Sequence, residues 1–401
     1  MVASYTVLEL ASVLAGPSVG QFFAELGATV IKVENPRTQG DVTRRWTLPH
    51  ETLRDDRSAY FCCCNYGKQS LALDLRAERG QAVLHRLAAE SDIVIANYRP
   101  GQAQALGADP DTLRAQNPAL VYGHITGYGP DNPRPGYDAV VQAKSGFMAM
   151  NGYADGPPTK MPVALMDVLA AHHLKEALLI ALLRRTQTGT GAYVPVSLMQ
   201  AAASGLANQA TNYLHTGHVP QRMGSAHPNI APYGTAYETA DTPVVLAVGT
   251  DRQFEALCTI LQCPALAHEA RFATNRARVR HRTALDEALR PKLAVQPAAA
   301  LLQALHEHGV PAGAVRTMPA VLSDPHVAPM TLGTREEEDE AGVPGLRQVA
   351  PETAGSSGKD LTPPPRYAAD TAAVLRAYGY ARASIKAMEN SGIIQTASAS
   401  R

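Results

Sequence analysis

The sequence predicts an α/β protein built around a mostly parallel, doubly wound sheet. Strand-like and helix-like patterns alternate over the first 125 residues, glycine and proline turns separate them, and several strand patterns end in polar residues. Parallel strands need a crossover connection, usually a helix, so this alternation favours right-handed βαβ units.

Strand patterns cover residues 5–10, 28–34, 70–75, 93–97 and 120–125, and helical patterns cover 19–26, 79–90 and 110–116. Residues 16–17 read as a turn. Ligands of such sheets bind beyond the carboxyl ends of the strands. Those ends are predicted at residues 10–16, 34–41, 73–76, 97–101 and 126–128.

The second half of the chain has a different pattern. A strand is predicted at 243–249, helices at 251–261, 280–290 (ended by Pro291) and 298–308, and a loop or strand return at 309–317. Residues 333–343 suggest a solvated hairpin or loop and 350–366 a linker, followed by a last helix at 369–378 and a short polar tail. Residues 225–320 are therefore interpreted as a smaller domain.

Composition narrows the class of protein. The 401 residues carry 36 basic and 36 acidic side chains, so no global charge attracts nucleic acid or anionic membrane. No apolar stretch reaches the roughly 18 residues of a membrane span, and a strand pattern at the start leaves no room for a signal peptide. Five cysteines, three of them adjacent at 62–64, form neither a disulfide framework nor a metal motif. These features predict a cytoplasmic enzyme or binding protein.

Asp167 is a lone carboxylate within the apolar run 163–171, at the predicted start of a long helix. A buried ionised carboxylate without partners costs several kcal/mol, so its presence calls for a reason. One interpretation is an N-terminal helix cap, which this segment alone favours. The other is a nucleophile kept ionised by the helix N-terminus, and the rest of the chain favours this second interpretation.

Nucleotide and hydrolase motifs are absent from the expected places. Gly16-Pro17-Ser18 follows the first strand but lacks the second glycine of G-x-G-x-x-G, which weakens a nucleotide-dependent dehydrogenase. Neither a P-loop nor the G-x-S-x-G elbow of α/β-hydrolases occurs.

Several stretches together resemble one family, in the right order and over nearly the whole chain. They are VLEL at 7–10, VLAGP at 13–17, LGATVIKVE at 26–34, NYGKQSLALDL at 65–75, NYRPG at 97–101, GYGP at 127–130, GYD at 136–138, Pro162 with Asp167-Val168, TGTG at 188–191, His227-Pro228 with PYG at 232–234, and GVPAG at 309–313. The chain is similar to the family III coenzyme A transferases, which include formyl-CoA and carnitine CoA-transferases and are related to α-methylacyl-CoA racemases.

The resemblance implies a Rossmann-like large domain made from both ends of the chain (residues 1–205 and 325–401) and a small inserted α+β domain (225–320). It implies homodimers whose chains interlock. It also implies that Asp167 attacks the acyl-CoA thioester, giving a mixed anhydride and then an aspartyl-CoA thioester before the acceptor acid collects the coenzyme. Such exchange needs neither ATP nor a metal, so no tightly bound cofactor is expected, and the backbone N–H groups of a glycine-containing loop are expected to stabilise the oxyanions.

By position in the family motifs, the residues expected to contact coenzyme A are Leu14, Ala15, Arg37, Leu73, Asp74, Leu75, Arg76, Asn97, Tyr98, Arg99 and Tyr137. A guanidinium such as that of Arg99 suits phosphate. The chain departs from the family at Asn35 and Ala105, where some members carry arginine, and at Pro195, which suggests an edge strand or bulge.

Other functions stay open at this stage. In the racemase branch a histidine precedes the aspartate of G-x-D, whereas Tyr137 stands there in this chain, so transferase is favoured over racemase. A non-catalytic CoA- or nucleotide-binding protein is a further alternative. The acids exchanged are not readable, but a small dicarboxylate is favoured, with its second carboxylate held by one of Arg134, Lys144, Lys160, His227 or Tyr233.

Overall fold

A parallel sheet forms the centre of the computed structural model, which describes residues 2–53, 55–333, 343–349 and 361–397. The strands are β1 (Thr6–Leu10), β2 (Thr29–Glu34), β3 (Lys68–Leu73), β4 (Ile93–Ala96), β5 (Val121–Thr126), β6 (Tyr193–Ser197), β7 (Tyr233–Tyr237), β8 (Val244–Ala247), β9 (Ala312–Ala314), β10 (Thr331–Leu332), β11 (Gly345–Leu346) and β12 (Ile394–Gln395). Within the described residues the main sheet has seven strands in the order β12-β3-β2-β1-β4-β5-β6. All neighbours are parallel except β12, which runs antiparallel to β3.

The helices follow in chain order as α1 (Ala15–Glu25), α2 (Ala59–Cys62), α3 (Glu78–Ala89), α4 (Gln102–Ala105), α5 (Pro110–Gln116), α6 (Asp138–Lys144), α7 (Phe147–Met150), α8 (Leu165–Thr188), α9 (Leu198–Gly205), α10 (Ala207–Thr216), α11 (Asp251–Ile260), α12 (Pro264–His268), α13 (Asn275–Arg280), α14 (Arg282–Leu293), α15 (Ala298–Glu307), α16 (Met318–Leu322), α17 (Thr371–Ala377) and α18 (Arg382–Asn390). Among the described residues, no helix is both long and apolar enough to span a membrane.

The chain divides into two compact units. The first comprises Met1–Ser145, Pro162–Ala210 and Pro325–Arg401, and the second comprises Gly146–Met161 and Thr211–Asp324. In the first unit, apolar side chains of β1, β3 and β4 pack against those of α3, α17 and α18, while α8 packs against α1, β5 and β6. The second unit has an antiparallel sheet in the order β7-β8-β9, with an apolar core of its own.

The predicted mixed α/β fold with a mostly parallel sheet is confirmed. Most strand bounds fall within two residues of the prediction. Pro195 lies on β6, an edge strand of the main sheet, as its chemistry requires.

Three local predictions need correction. The predicted turn at 16–17 is the first turn of α1, where Pro17 is tolerated because its missing N–H has no helical partner there. The helix predicted at 280–290 begins at Arg282, because Arg280 ends α13, and Pro291 lies inside α14, which continues to Leu293.

The C-terminal segment is also different from the prediction. After α17 the chain adds α18 and then β12, which pairs with β3, in place of a short polar tail. The predicted hairpin at 333–343 and linker at 350–366 fall largely outside the described residues, although β10 and β11 pair antiparallel on either side of the first.

Candidate active site

The strand order of the main sheet reverses at β1, so the loops after β1 and β4 diverge and leave a crevice there. Two cavities open at this point. The strand-end cavity, of about 620 Å³, lies over the carboxyl ends of β1, β2 and β3. The Asp167 cavity, of about 440 Å³, lies over those of β1, β4 and β5. Four residues line both, so the cavities form one cleft: Ser12, Asn97, Tyr98 and Gln102.

The β1–α1 loop (residues 11–14) lies between the two cavities and is held by the half-buried Asn97 and the buried Lys32. Asn97, at the end of β4, accepts from the Ser12 N–H (3.2 Å) and donates to the Ser12 carbonyl (2.8 Å). Lys32 donates to the Ala11 carbonyl (3.0 Å). The side-chain amide of Asn97 therefore fixes the loop through both its oxygen and its nitrogen.

Val13 has an unusual backbone conformation in this loop. Its φ is 75°, a left-handed value that a β-branched residue adopts only when the surroundings impose it. The Asp41 carboxylate accepts from the Val13 N–H (3.2 Å to Oδ2), and the Cys64 thiol lies 3.6 Å from the Val13 carbonyl oxygen. These contacts direct Leu14 and Ala15 into the Asp167 cavity.

Beneath the loop lies a buried charge cluster of four side chains. Lys32 Nζ lies 2.9 Å from both Glu9 and Asp41, and Lys68 Nζ lies 2.7 Å from Glu9. Burial alone would raise the pKa of Asp41, but the Lys32 ammonium and the Thr43 hydrogen bonds hold it below its usual value. Burial alone would lower the pKa of Lys32, but Asp41 and Glu9 raise it above its usual range. Every charge in this cluster is paired.

Asp167 is the third residue of α8, half-buried, and lines the Asp167 cavity. The N-cap residue is Ala164, so the capping interpretation of Asp167 is wrong. Among the described residues, none donates a hydrogen bond to its carboxylate or forms an ion pair with it. The group faces the cavity without a partner.

Asp138, the first residue of α6, supplies the missing cap from another element. Its Oδ1 accepts from the Met166 N–H (2.8 Å), and its Oδ2 accepts from the Gln142 amide (2.7 Å). The Gln142 amide also lies 3.3 Å from the Val163 carbonyl, just before α8. Asp138 therefore fixes the turn that carries Asp167.

The environment of Asp167 favours its neutral form. Burial raises the pKa of Asp167 to about 7, and the Asp138 carboxylate adds to the rise. The expectation that the helix N-terminus keeps the carboxylate ionised is corrected: one free N–H is already used by Asp138, and desolvation with like charge outweighs the helix dipole. Near neutral pH this carboxyl is partly ionised.

Two glycines bring the loop after β5 back toward the site. Gly127 and Gly136 pack backbone to backbone, and a Cβ on Gly127 would lie 2.6 Å from the Gly136 Cα. This close approach places Tyr137 and Asp138 at the rim of the Asp167 cavity. Tyr137 is 64% exposed.

The structure gathers ten of the eleven residues predicted to contact coenzyme A along the cleft. Those lining the strand-end cavity are Leu73, Asp74, Leu75 and Arg76. Those lining the Asp167 cavity are Leu14, Ala15, Arg99 and Tyr137, while Asn97 and Tyr98 line both. Their contacts with coenzyme A remain predictions.

The eleventh residue, Arg37, lines neither cavity. Its side chain is exposed, and its Nε lies 2.7 Å from the Asp74 carboxylate at the rim of the strand-end cavity. Arg45, which the motifs did not indicate, lines that cavity with an exposed side chain. Its neighbour Arg44 is buried and pairs with Glu34 (2.7 Å).

Of the residues considered for the acceptor acid, Arg134 lines the Asp167 cavity. The Lys144 ammonium lies 4.4 Å from the centroid of the Tyr128 ring. The remaining three, Lys160, His227 and Tyr233, belong to the second unit.

Comparison with known proteins agrees with the family resemblance of the sequence. The sequence model of CoA-transferase family III matches residues 3–371. A succinate–glutarate CoA-transferase of Agrobacterium fabrum is 40% identical over 348 residues, covering 85% of this chain and 86% of that protein. An acetyl-CoA:oxalate CoA-transferase of Acetobacter aceti is 36% identical, covering 77% and 78%.

Solved structures share the fold. A CaiB/BaiF family protein from Brucella suis, 39% identical, superposes with a TM-score of 0.79 over 94% of this chain and 99% of that one. A Mycobacterium tuberculosis protein, 30% identical, covers 92% of this chain and 98% of its own with a TM-score of 0.76.

Proposed function

The chain belongs to CoA-transferase family III, and we propose that it moves coenzyme A from an acyl-CoA donor to a carboxylic acid through covalent intermediates on Asp167. The observation that carries the proposal is an unpaired carboxylate facing a cavity at the switch point of the sheet. A desolvated, positioned carboxylate is a competent nucleophile toward a thioester.

The proposed reaction has four steps. The Asp167 carboxylate attacks the donor thioester, the carbon–sulfur bond breaks, and coenzyme A leaves as thiolate from a mixed anhydride. The thiolate then attacks the Asp167 acyl carbon, which releases the donor acid and leaves an aspartyl-CoA thioester. The acceptor carboxylate attacks this thioester, its carbon–sulfur bond breaks with release of the thiolate, and a second anhydride forms. The thiolate finally takes the acceptor acyl group, and Asp167 is again a carboxylate.

The β1–α1 loop is suited to stabilise the oxyanions of these steps. Among the described residues the N–H groups of Leu14 and Ala15 have no acceptor, and both residues line the Asp167 cavity. Preformed backbone donors at a developing negative charge are a major source of rate enhancement. The hydrogen bond from the Val13 N–H to the Asp41 carboxylate holds these donors in place before the substrate binds.

The strand-end cavity is the proposed site of the nucleotide end of coenzyme A. Arg45 and Arg76 present exposed guanidinium groups there, which suits phosphate. The pantetheine arm would follow the shared residues Asn97 and Tyr98 toward Asp167. This placement uses ten of the eleven predicted contacts.

Small dicarboxylic acids are the proposed substrates. Relatives of this chain are named for succinate, glutarate, oxalate and mesaconate. The guanidinium of Arg134 lines the Asp167 cavity, where it would pair with the carboxylate that does not react.

We also propose that the enzyme works in the cytoplasm as a homodimer, with the interlocked arrangement that the family resemblance implies. Three large apolar side chains are exposed on one stretch of α8: Leu179, Ile180 and Leu183. An exposed apolar patch on a helix favours contact with a second chain.

The proposal is tested by mixing the purified enzyme with succinyl-CoA and a panel of acids, and following new acyl-CoA species by mass spectrometry. Asp167→Ala should lose at least about 10³-fold in rate, whereas Asp155→Asn, at an exposed aspartate of the second unit, should match the wild type. A hydroxylamine-sensitive adduct on residues 161–175 should form only with Asp167 present.

The alternatives give different results. Exchange of the α-proton of a 2-methylacyl-CoA with deuterated solvent, without transfer to any acid, would establish the racemase. Binding of acyl-CoA with neither reaction would indicate a non-catalytic CoA-binding protein.

A further inference from the structure

Resting on the proposed nucleophilic role of Asp167, we propose that Asp138 is a positioning residue: it holds the turn that carries Asp167, and its negative charge favours the acylated over the ionised form of Asp167. The family motif contains this aspartate, but the motif alone assigns it no role. The assignment comes from contacts between α6 and α8.

Both carboxylate oxygens of Asp138 accept hydrogen bonds. One oxygen accepts from the Met166 N–H and the other from the Gln142 amide, at 2.8 and 2.7 Å. Gln142 is fully buried, so its amide provides a fixed donor. Hydrogen bonds to the charged form of a carboxyl stabilise that form. Asp138 therefore has two hydrogen-bond donors that favour its charged form, whereas Asp167 has none among the described residues.

This asymmetry has a consequence for the reaction. Attack on a thioester converts Asp167 from a carboxylate into a neutral anhydride or thioester. The repulsion between Asp138 and Asp167 exists only before the attack, so it raises the energy of the reactant state and not of the acylated state. An interaction that is less unfavourable in the transition state than in the ground state accelerates the step.

Other ionisable groups lie near Asp167 or along its helix. Tyr60 on α2 is close enough that Asp167 and Asp138 both contribute to raising its pKa to about 12, after burial and Cys63. Arg99 and Arg134 line the same cavity. Along α8, burial lowers the pKa of Lys175 to about 8. Of these groups, Asp138 is the one that raises the pKa of Asp167, after burial.

Asp138→Asn separates charge from position. Asparagine keeps an acceptor for the Met166 N–H, and Gln142 can turn its amide to pair with the new side chain. Asp138→Ser, neutral and with a smaller acceptor, is a second variant in case the first folds poorly. Asp155→Asn removes an exposed aspartate of the second unit and serves as the matched control.

The titration of Asp167 is measured first, without using the reaction. A diazo compound esterifies protonated carboxyl groups, and the tryptic peptide 161–175 contains Asp167 as its single carboxylate side chain. In the wild type the labelling should fall with a midpoint near pH 7. In both Asp138 variants the midpoint should lie lower, by about one pH unit.

Single-turnover release of thiolate from succinyl-CoA is measured next. With the midpoint one unit lower, the ratio of the Asp138→Asn rate at pH 6 to its rate at pH 8.5 should exceed the wild-type ratio about fivefold, because more Asp167 is ionised at pH 6. At pH 8.5 the rate should fall about two- to tenfold, because the repulsion that favoured attack is gone. A merely structural defect would lower both rates alike.

An unchanged midpoint in both variants, or rates that fall equally at both pH values, would overturn the role of Asp138. A wild type that releases no thiolate from any acyl-CoA would instead overturn the proposed function. In that case the labelling midpoint still decides whether Asp138 controls the charge of Asp167.

Discussion

Acidic side chains beneath the β1–α1 loop are paired with lysines, whereas the nearby charge that acts on Asp167, at the start of α8, is a second carboxylate, that of Asp138. In the buried charge cluster Asp41 lies 2.9 Å from Lys32, and its pKa is lowered despite burial. Asp167 has no cationic partner among the described residues, and burial with Asp138 raises its pKa to about 7. The two groups lie in the same unit and at the same end of the sheet.

The difference distinguishes a structural carboxylate, Asp41, from the proposed nucleophile, Asp167. A paired buried carboxylate is held in one geometry and one charge state, and it fixes the strained backbone at Val13. An unpaired one is unstable as an ion, and covalent reaction removes its charge. The fold therefore stabilises the first kind of carboxylate and destabilises the second, as active sites commonly do.

Asp167→Asn removes the carboxylate that has no cationic partner in the described part of the chain and should have the largest effect. Transfer should fall at least about 10³-fold, yet the protein should become more stable by about 1–3 kcal/mol at pH 8, because an ion disfavoured by burial is removed. A carboxyl with a raised pKa destabilises the folded state above that pKa. The gain should therefore shrink as the pH falls through 7.

Urea unfolding of the variant and the wild type at pH 8 and pH 5 measures this gain. A variant that is less stable at pH 8 would show that Asp167 is stabilised in the fold and would contradict the contrast.

Asp41→Asn removes the paired carboxylate of the buried charge cluster. Removing one partner of a buried ion pair is expected to lower the free energy of unfolding by about 3–5 kcal/mol. A carboxyl with a lowered pKa stabilises the fold above its unfolded pKa, so the deficit should be complete at pH 7. It should diminish only as the pH falls below about 4.

Denaturation at pH 7, with Asp131→Asn as a control at an exposed aspartate, measures the deficit. A stability equal to that of the wild type would mean that the cluster does not support the loop.

Arg45→Gln removes an exposed cation of the strand-end cavity and should have the smallest effect. Arg45 is exposed in the strand-end cavity, so its loss should raise the KM for acyl-CoA about tenfold, the scale of one charge-assisted phosphate contact. Stability should change little.

The adjacent Arg44→Gln is the matched control, since Arg44 is buried against Glu34. It should lower stability. A change in KM from Arg44→Gln but none from Arg45→Gln would displace the phosphates from the proposed position.

Much of the fold and of the candidate site could be predicted from the sequence, and the remainder could not for a physical reason. Apolar runs and turn residues predicted the strands of the main sheet, because burial between helices demands such patterns. The lone position of Asp167 and the family motifs pointed to Asp167 as the proposed nucleophile. The strand ends predicted for ligand binding are the ones that line the cleft.

What the sequence could not show are contacts between distant residues. The bonds of Asp41 to Val13 and of Asp138 to Met166 each join residues 28 positions apart. No local spacing encodes these contacts, although Asp138 lies in the GYD motif and Asp41 in a predicted strand end. Likewise, Ile394 of β12 is buried, but a two-residue strand is too short for its pattern to be recognised.

The most direct test of the central claim follows oxygen atoms through turnover. In the proposed reaction one oxygen of the acceptor carboxylate remains on Asp167 when the product leaves. With an acceptor acid labelled with heavy oxygen, the tryptic peptide 161–175 should gain heavy oxygen on Asp167, its single carboxylate side chain. Continued transfer with no label in that peptide would contradict the account, because the acceptor would then never have been bound to Asp167.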